Sequence, residues 1–356
     1  MIDLSKVEYR VVVVASDGTQ YDVTDICSAL GWSEGEKELA AKITCKLACV
    51  EVNGALVTDV VTLNTPIIVY ASDGGGFQEM IRGNVTKLGL TESNGEFTLD
   101  IEAADEAQAL RHTQEDYFFS PDSSSTSIIE KILTDHGVPH TIQITDAKHE
   151  KKVYRGKYLS DMIADVLKDL KEKGGGTYFL RAREGTIEIL PRGTNEQIYH
   201  FDIDYNTVRV NDSFDSSDTV TKVKIVGKER TEGKQRIDGI VEGRTELGTR
   251  QVIYPRDDKT TLEEAETAAK KILEENGVKR KTTLEAPDVP FLRKGDRIRL
   301  RSSVGEGYFF VKSISHSVPQ QTMRAELDYD KEYSKEKGLE DYELAITDES
   351  GSSNPP

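Results

Sequence analysis

Cysteine and histidine are the residues of this chain best suited to metal binding or nucleophilic chemistry. Cys45 and Cys49 lie in AKITCKLACV, where their even spacing places both on one face of a strand. A zinc site needs about four ligands, and no histidine precedes His112. We therefore predict that Cys45 and Cys49 are small buried apolar residues. With Cys27 the count is three, which is odd and favours free thiols in a reducing compartment.

Two histidines have a spacing that could bring ligands together. His136 and His140 are four residues apart, but Gly137 and Pro139 lie between them and would end a helix. His136 is better interpreted as the last residue of a helix, where a positive charge stabilises the dipole. The other histidines are isolated in sequence: His112, His149, His200 and His316. No local catalytic signature accompanies them, although folding could still assemble a triad from distant residues.

Two loops resemble ligand-binding motifs but lack essential residues. In GKERTEGKQ, from Gly227, five residues separate the glycines instead of four. Gln235 stands where a Ser or Thr would bind magnesium, so a charged hairpin is predicted. DIDYNT begins like a calcium loop at Asp202, but Thr207 replaces the glycine and Ser213 the bidentate Glu. We therefore predict no catalytic, cofactor-binding or metal-binding residue, and no enzyme.

Charge is unevenly distributed along the chain. The formal net charge is −17, which argues against tight binding to a phosphate backbone, because that binding depends on Lys and Arg. The segment KHEKKVYRGKY, Lys148–Tyr158, is the one local cationic cluster and contains interleaved aromatic residues. It is interpreted as a solvated connection before a helix. A contact with nucleic acid or with an acidic partner is the alternative.

Composition and length indicate a soluble globular protein that is not inserted in a membrane. Hydrophobic residues make up 37% of the chain and charged residues 31%. No apolar run reaches the ~18 residues that a membrane helix needs. The N-terminal apolar run is too short for a signal peptide, so the chain is expected to begin in a cytoplasm. A length of 356 residues predicts roughly two to three domains.

Residues 1–112 have the pattern of short strands joined by tight turns. Asp17–Gly18 and Asn94–Gly95 are the turn signals of β-hairpins. In EFTLDIEA, the alternation of Phe97, Leu99 and Ile101 is typical of a half-buried strand. These features predict a small antiparallel β-barrel or sandwich. The only tryptophan, Trp32, lies just before a predicted strand and is interpreted as a packing anchor.

Residues 113–205 change to a helical period. Ser127–Glu130 has the form of a capping box, and Gly137 would end that first helix. A second helix is predicted in YLSDMIADVLKDLKEK, up to Gly174–Gly176, because its apolar residues recur at helical spacing. A β-hairpin across Glu184–Gly185 follows. The apolar stripe of the first helix comprises Ile128, Ile129, Ile132 and Leu133. This region is predicted to be a small α+β domain.

Residues 206–335 return to strands, with one helix behind a capping box at Thr261–Glu264. Three alternating strands in Phe291–Asp330 repeat the order of three strands in Leu63–Asp105. A second β-barrel is therefore predicted here. The fold class is mainly β, with two antiparallel β-barrel domains flanking the α+β middle domain. The last residues, 336–356, are polar and acidic and are predicted to be a flexible tail.

The order of these pieces resembles the hub proteins of contractile phage tails, related to the late control gene D hub family. It is most similar to tail proteins of defective Bacillus prophages and of phage-tail-like bacteriocins. The resemblance covers nearly all of residues 1–335. The stretches that carry it are LGWSEGEKELAAKITCKLA, IRGNVTKLGL leading to EAADEAQALRHTQEDYFF, STSIIEKILTDHGVP, KYLSDMIADVLKDL and LRKGDRIRL.

The resemblance implies a structural baseplate hub with tail-tube-like barrels and no cofactor. Three copies would form a homotrimeric ring with pseudo-sixfold barrels, joining a hexameric tail tube to a trimeric spike around a central channel. Implied partners are the tail tube protein, the spike protein and other baseplate proteins. DNA would be only a passing cargo, sliding along an acidic channel wall, if the particle is a true phage. The chain would lie in a virion or phage-tail-like particle assembled in the bacterial host cytoplasm. A tail-associated cell-wall hydrolase and a module binding cell-surface polymer are the alternatives.

Overall fold

The computed structural model of the chain describes residues 6–36, 39–230, 234–303 and 305–339. The protein is mainly β, as the sequence predicts. It divides into a larger unit, Met1–Val210 with Thr283–Pro356, and a smaller unit, Asn211–Thr282. Across the described residues, none of the helices has the length and apolar character needed to cross a membrane.

The N-terminal part of the larger unit is an antiparallel sheet whose inward residues form one core. Both predicted hairpin turns, Asp17–Gly18 and Asn94–Gly95, are confirmed. Gly18, Asn94 and Gly95 have positive φ angles, which such tight turns require. The elements are β1 (Glu8–Val14), β2 (Gln20–Asp22), β3 (Cys27–Gly35), β4 (Lys42–Ala48), β5 (Glu51–Val52), β6 (Ala55–Leu56), α1 (Val57–Val60), β7 (Pro66–Ser72), β8 (Gln78–Ser93), β9 (Glu96–Ala104) and α2 (Ala107–His112).

Two residues of this sheet differ from the prediction. Leu99 and Ile101 are buried, but Phe97, predicted on the same buried face of β9, is 46% exposed. The reason is that the hairpin of β8 and β9 extends beyond the core that buries its other end. Trp32 is buried, as expected for a packing anchor, but it lies within β3 and not before a strand.

The first helix of the middle region begins earlier than predicted. The N-cap is Ser124, whose Oγ accepts a hydrogen bond from the Ser127 backbone N–H at 3.2 Å. The predicted capping box Ser127–Glu130 is therefore wrong. A run of Ser and Thr offers several equivalent caps, and the burial of Ser125 inside the fold selects among them. The helix ends as predicted at Gly137, which has a φ of 64°.

The second helix and the hairpin of the middle region are confirmed. Met162, Ile163 and Val166 are buried in one core with the stripe of the first helix. The turn Glu184–Gly185 has positive φ at both residues. The elements are β10 (Gln114–Phe119), α3 (Ser125–Asp135), β11 (His140–Ile142), β12 (Lys152–Tyr158), α4 (Leu159–Glu172), β13 (Tyr178–Arg183), β14 (Thr186–Pro191), β15 (Tyr199–Asp202) and β16 (Arg209–Asp215).

The smaller unit is a three-stranded sheet covered on one face by a helix. Ala265 and Ala269 of the helix are fully buried against the sheet. The capping box is confirmed, with Glu264 N–H donating to Thr261 Oγ1 at 3.2 Å and Thr261 N–H to Glu264 Oε2 at 2.7 Å. The elements are β17 (Lys222–Arg230), β18 (Lys234–Glu242), β19 (Gln251–Pro255) and α5 (Leu262–Glu275).

The segment GKERTEGKQ joins β17 to β18. These strands pair antiparallel on both sides of it, from Lys222 opposite Glu242 to Arg230 opposite Lys234. The chain therefore forms the hairpin that was predicted in place of a phosphate loop. Residues 231–233, which would form its turn, lie outside the described residues.

The C-terminal part of the larger unit repeats an arrangement of the N-terminal part. The strands β21, β22 and β23 pair antiparallel in sequence order, as β7, β8 and β9 do. Because β22 also pairs with β3, placing Ile314 opposite Glu34, both sets belong to one continuous sheet. The elements are β20 (Lys279–Pro287), β21 (Arg297–Ser302), β22 (Gly305–Ser317), β23 (Thr322–Tyr329) and α6 (Lys331–Glu336).

The predicted domain boundaries, 1–112, 113–205, 206–335 and 336–356, stay a prediction, as does the superposition of two barrels. Within the third of them, Asn211–Thr282 forms a compact unit of its own. The segment between Asp330 and the predicted tail forms α6, and the Asp330 carboxylate caps that helix by accepting the Tyr333 backbone N–H. Residues 340–356 of the predicted tail lie outside the described residues.

Candidate functional site

One buried arginine joins three distant parts of the larger unit. Arg293 precedes β21 in the segment LRKGDRIRL. Its Nε donates to Glu34 Oε1 on β3 at 2.8 Å, its Nη1 to the Met80 carbonyl on β8 at 2.8 Å, and its Nη2 to the Ala182 carbonyl on β13 at 3.0 Å. These partners lie in the first and middle predicted domains. A single side chain therefore binds segments of all three large predicted domains.

The carboxylate at this junction is surrounded by cations. Glu34 Oε2 accepts the Lys294 backbone N–H at 3.0 Å, while Lys294 Nζ donates to the carbonyls of Gly35 and Leu39, both at 3.3 Å. Burial would raise the pKa of Glu34, but the charges of Arg293 and Lys294 outweigh it and lower the pKa to about 2. Burial lowers the pKa of Lys294. The junction is thus a buried ionic cluster in which opposite charges compensate each other.

A second carboxyl of this cluster has the opposite shift. Asp105 follows β9, and its side chain accepts the backbone N–H groups of Ala41 at 3.0 Å and Ala107 at 3.1 Å. Burial raises its pKa to about 7, and the charge of Glu34 acts in the same direction. Asp105 and Glu34 therefore titrate in different pH ranges although they share one cluster.

A polar cleft of about 490 Å³ lies beside the junction. Arg181 crosses it, donating to Glu188 Oε2 at 3.0 Å and to Asp296 Oδ1 at 3.2 Å. Burial raises the pKa of Asp296, whose Oδ2 also accepts the Arg293 backbone N–H at 2.9 Å. Because opposite charges in the cleft pair with each other, it presents no single sign of charge to a ligand.

A second buried cluster connects the N-terminal and C-terminal strands of the larger unit. The Tyr9 hydroxyl donates to Asp288 Oδ2 at 2.6 Å, and His316 Nδ1 lies 2.6 Å from Asp288 Oδ1. The Trp32 ring stacks on the His316 ring at a centroid distance of 4.4 Å. Burial and the neighbouring Asp288 raise the pKa of Tyr9. His316, isolated in sequence, therefore belongs to a structural cluster with the packing anchor Trp32.

Folding does assemble a Ser-His-Asp series. Ser125 Oγ lies 2.6 Å from His149 Nε2, and His149 Nδ1 is hydrogen-bonded to Asp169 Oδ2. This is the order of groups that serine hydrolases use. However, Ser125 is fully buried and His149 is 3% exposed, and Ser125 Oγ is also within 3.2 Å of the Ala147 carbonyl. The series links the start of α3 to α4, and a substrate carbonyl has no access to the serine oxygen.

Cations hold the acidic end of this series in its charged form. Lys152 Nζ lies 3.4 Å from Asp169 Oδ2 and Lys173 Nζ lies 3.2 Å from it. Burial would raise the pKa of Asp169, but the hydrogen bond from His149 and these two lysines lower it to about 2. The arrangement is that of a structural ion network between a strand, a loop and a helix.

The other residues singled out from the sequence lie apart in these elements. Cys45 is buried in β4, as predicted, while Cys49 lies beyond the end of that strand and is only half-buried. The three cysteines are free thiols. His136 is the C-cap of α3, as predicted, and His140 begins β11. In the described part of the chain, His, Cys, Asp and Glu form no group of three or more with the geometry of a metal site.

The segment that resembles a calcium loop is tied to a neighbouring strand. Asp202 ends β15, and Arg301 of β21 donates to its Oδ2 at 2.6 Å. The same guanidinium lies 3.8 Å from Asp204. Asn206 Oδ1 accepts the Asp202 backbone N–H at 2.7 Å. These carboxylates therefore neutralise an arginine, which accounts for their spacing.

The basic segment forms a strand and not the predicted solvated connection. Lys152–Tyr158 is β12, which pairs with β10 in a two-stranded ribbon. Phe118 and Val153 are cross-strand partners on its outer face and are 62% and 48% exposed. Lys151 Nζ lies 5.3 Å from the centroid of the Phe118 ring. The ribbon is therefore an exposed surface that combines apolar and basic side chains.

The structure of this chain is similar to solved structures of tail proteins. A 43 kDa tail protein of prophage MuSo2 from Shewanella oneidensis has a TM-score of 0.68 at 13% identity, covering 90% of this chain and 98% of that chain. A tail protein from Neisseria meningitidis MC58 has a TM-score of 0.64 at 12% identity, covering 90% and 97%. An E. coli component of the type VI secretion system, described as structurally similar to phage T4 tail proteins gp27 and gp5, has a TM-score of 0.52 at 10% identity, covering 85% and 74%.

These likenesses show the fold, which the chain shares with a prophage tail protein and a second tail protein over 90% of its length. A comparison with curated protein sequences gives no match. The YQBQ-like family model matches residues 31–329, which run from within β3 to the end of β23. The chain belongs to the YQBQ-like family.

Proposed function

We propose that the protein is a structural hub in the baseplate of a contractile tail or of a phage-tail-like particle. One observation carries this proposal: the fold is shared with a prophage tail protein and a second tail protein, over 90% of this chain and 98% and 97% of theirs. The common part therefore includes both β-regions and the middle domain. A component of the type VI secretion system has a related fold, which agrees with a role at a tube that contacts a cell.

We infer that three copies form a ring between a hexameric tail tube and a trimeric spike. Each chain supplies two sets of three antiparallel strands, so three chains would supply six related positions. The Arg293 junction supports this role, because it binds β3, β8 and β13 to the segment before β21. Because these four segments are held together, the unit would keep its structure when the tail contracts. Tube protein, spike protein and other baseplate proteins would be the partners.

The solvent-facing side of β4, β8 and β9 carries paired opposite charges, which suits the wall of a DNA channel. Its charges alternate across neighbouring strands: Lys42 and Lys87 lie 2.7 and 2.9 Å from Glu102 oxygens, and Lys46 lies 3.1 Å from Asp100. These lysines are paired with carboxylates, so they would bind a passing DNA backbone weakly. We propose that this balanced face lines the channel, in place of the purely acidic wall that the net charge implies.

The test is the location of the chain in assembled particles. Particles purified from producing cells would be labelled with an antibody against this protein and imaged by electron microscopy. Label confined to the baseplate end of the tube supports the hub, with three copies per particle by quantitative mass spectrometry. Absence of the chain from purified particles would overturn the proposal, and label along the whole tube would reassign it to a tube subunit.

The hydrolase alternative can be tested directly on the Ser125–His149–Asp169 series. Because Ser125 is fully buried, we do not propose hydrolytic activity. Incubation of the full chain with purified peptidoglycan should release no more fragments than the Ser125→Ala variant does. Release by the wild type that is lost in this variant would restore the hydrolase. Among the residues that the structure describes, no specific contact or patch favours the polymer-binding alternative.

A further inference from the structure

The hairpin of β8 and β9 extends past the core of the N-terminal sheet. Apolar residues on its core-facing side are therefore exposed near the turn. Leu90 lies opposite Leu99, and Glu92 lies opposite Phe97, so these four residues share one face of the hairpin. Leu99 belongs to the core, but Leu90 is 61% exposed and Phe97 is 46% exposed. Exposed apolar residues that continue a core face mark a surface that another molecule covers.

The charge on this overhanging face is negative. Glu92 stands beside Phe97 and two residues from Leu90, on the same side of the hairpin. Among the residues that the structure describes, no hydrogen bond or ion pair engages its carboxylate. The overhang, defined here as Leu90, Glu92 and Phe97, is thus an apolar surface with one free carboxylate. A surface that covers the overhang would need apolar side chains for Leu90 and Phe97 and a basic side chain for Glu92.

The two-stranded ribbon of β10 and β12 has an exposed apolar pair flanked by basic side chains, with one exposed carboxylate, Asp116, which accepts the Gly156 backbone N–H at 2.6 Å. Phe118 and Val153 form an exposed apolar pair on its outer face. Lys151 lies over the Phe118 ring, and Arg155 follows Val153 by two residues on the same face. Within the described ranges, Arg155 is exposed and has no ion-pair partner. The opposite face of the ribbon is buried, through Tyr117 and Tyr154.

The two surfaces lie at different places on one molecule. The overhang is at the turn end of β9, whereas the chain leaves the other end of β9 at Ala104 and passes through α2 into β10. From Phe97 to Ala104 the strand alone spans about 23 Å, at ~3.3 Å per residue. A contact between different surfaces of identical chains is head-to-tail, and such contacts close into rings when the rotation permits.

We propose that the overhang of one copy docks on the ribbon of a second copy of this chain, a contact that rests on the ring proposed above. The apolar residues Leu90 and Phe97 cover Phe118 and Val153, and Glu92 pairs with Arg155. The charges of the two surfaces favour a second copy of this chain as the docking partner. Copies that each carry a net charge of −17 repel one another, so self-association requires a local basic surface. The ribbon contains most of the basic segment Lys148–Tyr158.

The experiment measures self-association of the full chain by sedimentation velocity over a series of protein concentrations. The variants are Glu92→Arg, Arg155→Glu and the two together. Each single reversal should weaken association about tenfold, and the double variant should recover most of that loss. The matched control is Glu96→Arg, because Glu96 lies opposite Ser93 on the other face of the same hairpin. It should associate like the wild type.

A photocrosslinking amino acid at position 97 gives a second, independent measurement. Crosslinks between copies should map to residues 114–119 or 151–158. Wild-type trimers that persist unchanged in both single reversals, or crosslinks between copies that map elsewhere, overturn the docking contact and leave the hub standing. A wild-type chain that stays monomeric at every concentration also overturns this contact. The hub itself fails if the chain is absent from particles or lies along the whole tube, so the two failures are distinguishable.

Discussion

Arg293 Nε donates a hydrogen bond to Glu34 Oε1 at 2.8 Å, between residues 259 positions apart in the sequence. Glu34 is 2% exposed and Arg293 is 8% exposed. A buried ion pair adds little net stability compared with apolar residues of the same size, but removing one partner leaves an uncompensated buried charge. The pair therefore makes the association of β3 with the segment before β21 specific, and any variant that breaks one side should be strongly destabilised.

Replacing Arg293 tests whether this residue holds β3, β8 and β13 together with the segment before β21, a role called the brace below. Arg293→Met removes the guanidinium that neutralises Glu34 and leaves the carbonyls of Met80 and Ala182 without their donor. We expect a loss of about 3–5 kcal/mol in the free energy of unfolding, measured by urea denaturation. Arg324→Met is the control, because Arg324 is an exposed arginine on β23. A loss of about 0.5 kcal/mol or less is expected there. Equal effects at both sites would contradict the brace.

Asp105 should make stability depend on pH in the range between its unfolded and folded pKa values. Burial raises its pKa from 3.8 to about 7, so the contribution of protonated Asp105 is complete below about pH 4 and is lost as pH rises through 7. The loss is at most about 4 kcal/mol, from about 1.4 kcal/mol per pKa unit. Asp105→Asn should lack this dependence, whereas Asp59→Asn, at an exposed site in α1, should retain it. A wild-type-minus-Asp105→Asn difference that is constant from pH 4 to 8 would contradict the assignment.

The hairpins and helices of this fold were predictable because their signals are local. Gly18, Asn94, Gly95 and Gly185 adopt positive φ angles, which glycine and asparagine tolerate best. The apolar spacing of Leu159–Glu172 likewise identified α4. The predicted start of α3 was wrong because several neighbouring serines could cap the helix. Only the burial of Ser125, which depends on residues far along the chain, distinguishes them.

The ionic clusters could not be predicted from the sequence. Nothing near Glu34 indicates a partner beyond residue 290, and His149 meets Ser125 and Asp169 only after two helices pack. Charged residues inside a strand-like segment, such as Arg293 in LRKGDRIRL, were the available signal. They show that a charge will be buried or paired, but they do not show with which residue.

The Ser125–His149–Asp169 series should behave as a structural element. A fluorophosphonate reagent should not label Ser125 in the folded protein, because the residue is fully buried. Ser125→Ala leaves His149 Nε2 without its 2.6 Å partner, so the free energy of unfolding should fall by about 1–3 kcal/mol. Ser127→Ala, at an exposed site in the same helix, is the matched control and should cost less. Labelling that disappears in Ser125→Ala would instead indicate an accessible nucleophile.

Gly295 should be among the least replaceable residues next to the Arg293 junction. Its φ is 89°, and a Cβ at this position would lie 2.5 Å from Cδ1 of the Phe179 ring, which is buried. Gly18 has nearly the same φ, 86°, but open space around its Cβ position. Gly18→Ala therefore measures the backbone strain alone, about 1–2 kcal/mol. Gly295→Ala adds a steric clash of about 1–3 kcal/mol. In urea denaturation, Gly295→Ala should be the more destabilised by that difference. Equal losses would show that Phe179 moves aside without cost and that the packing of the middle region on this segment is loose.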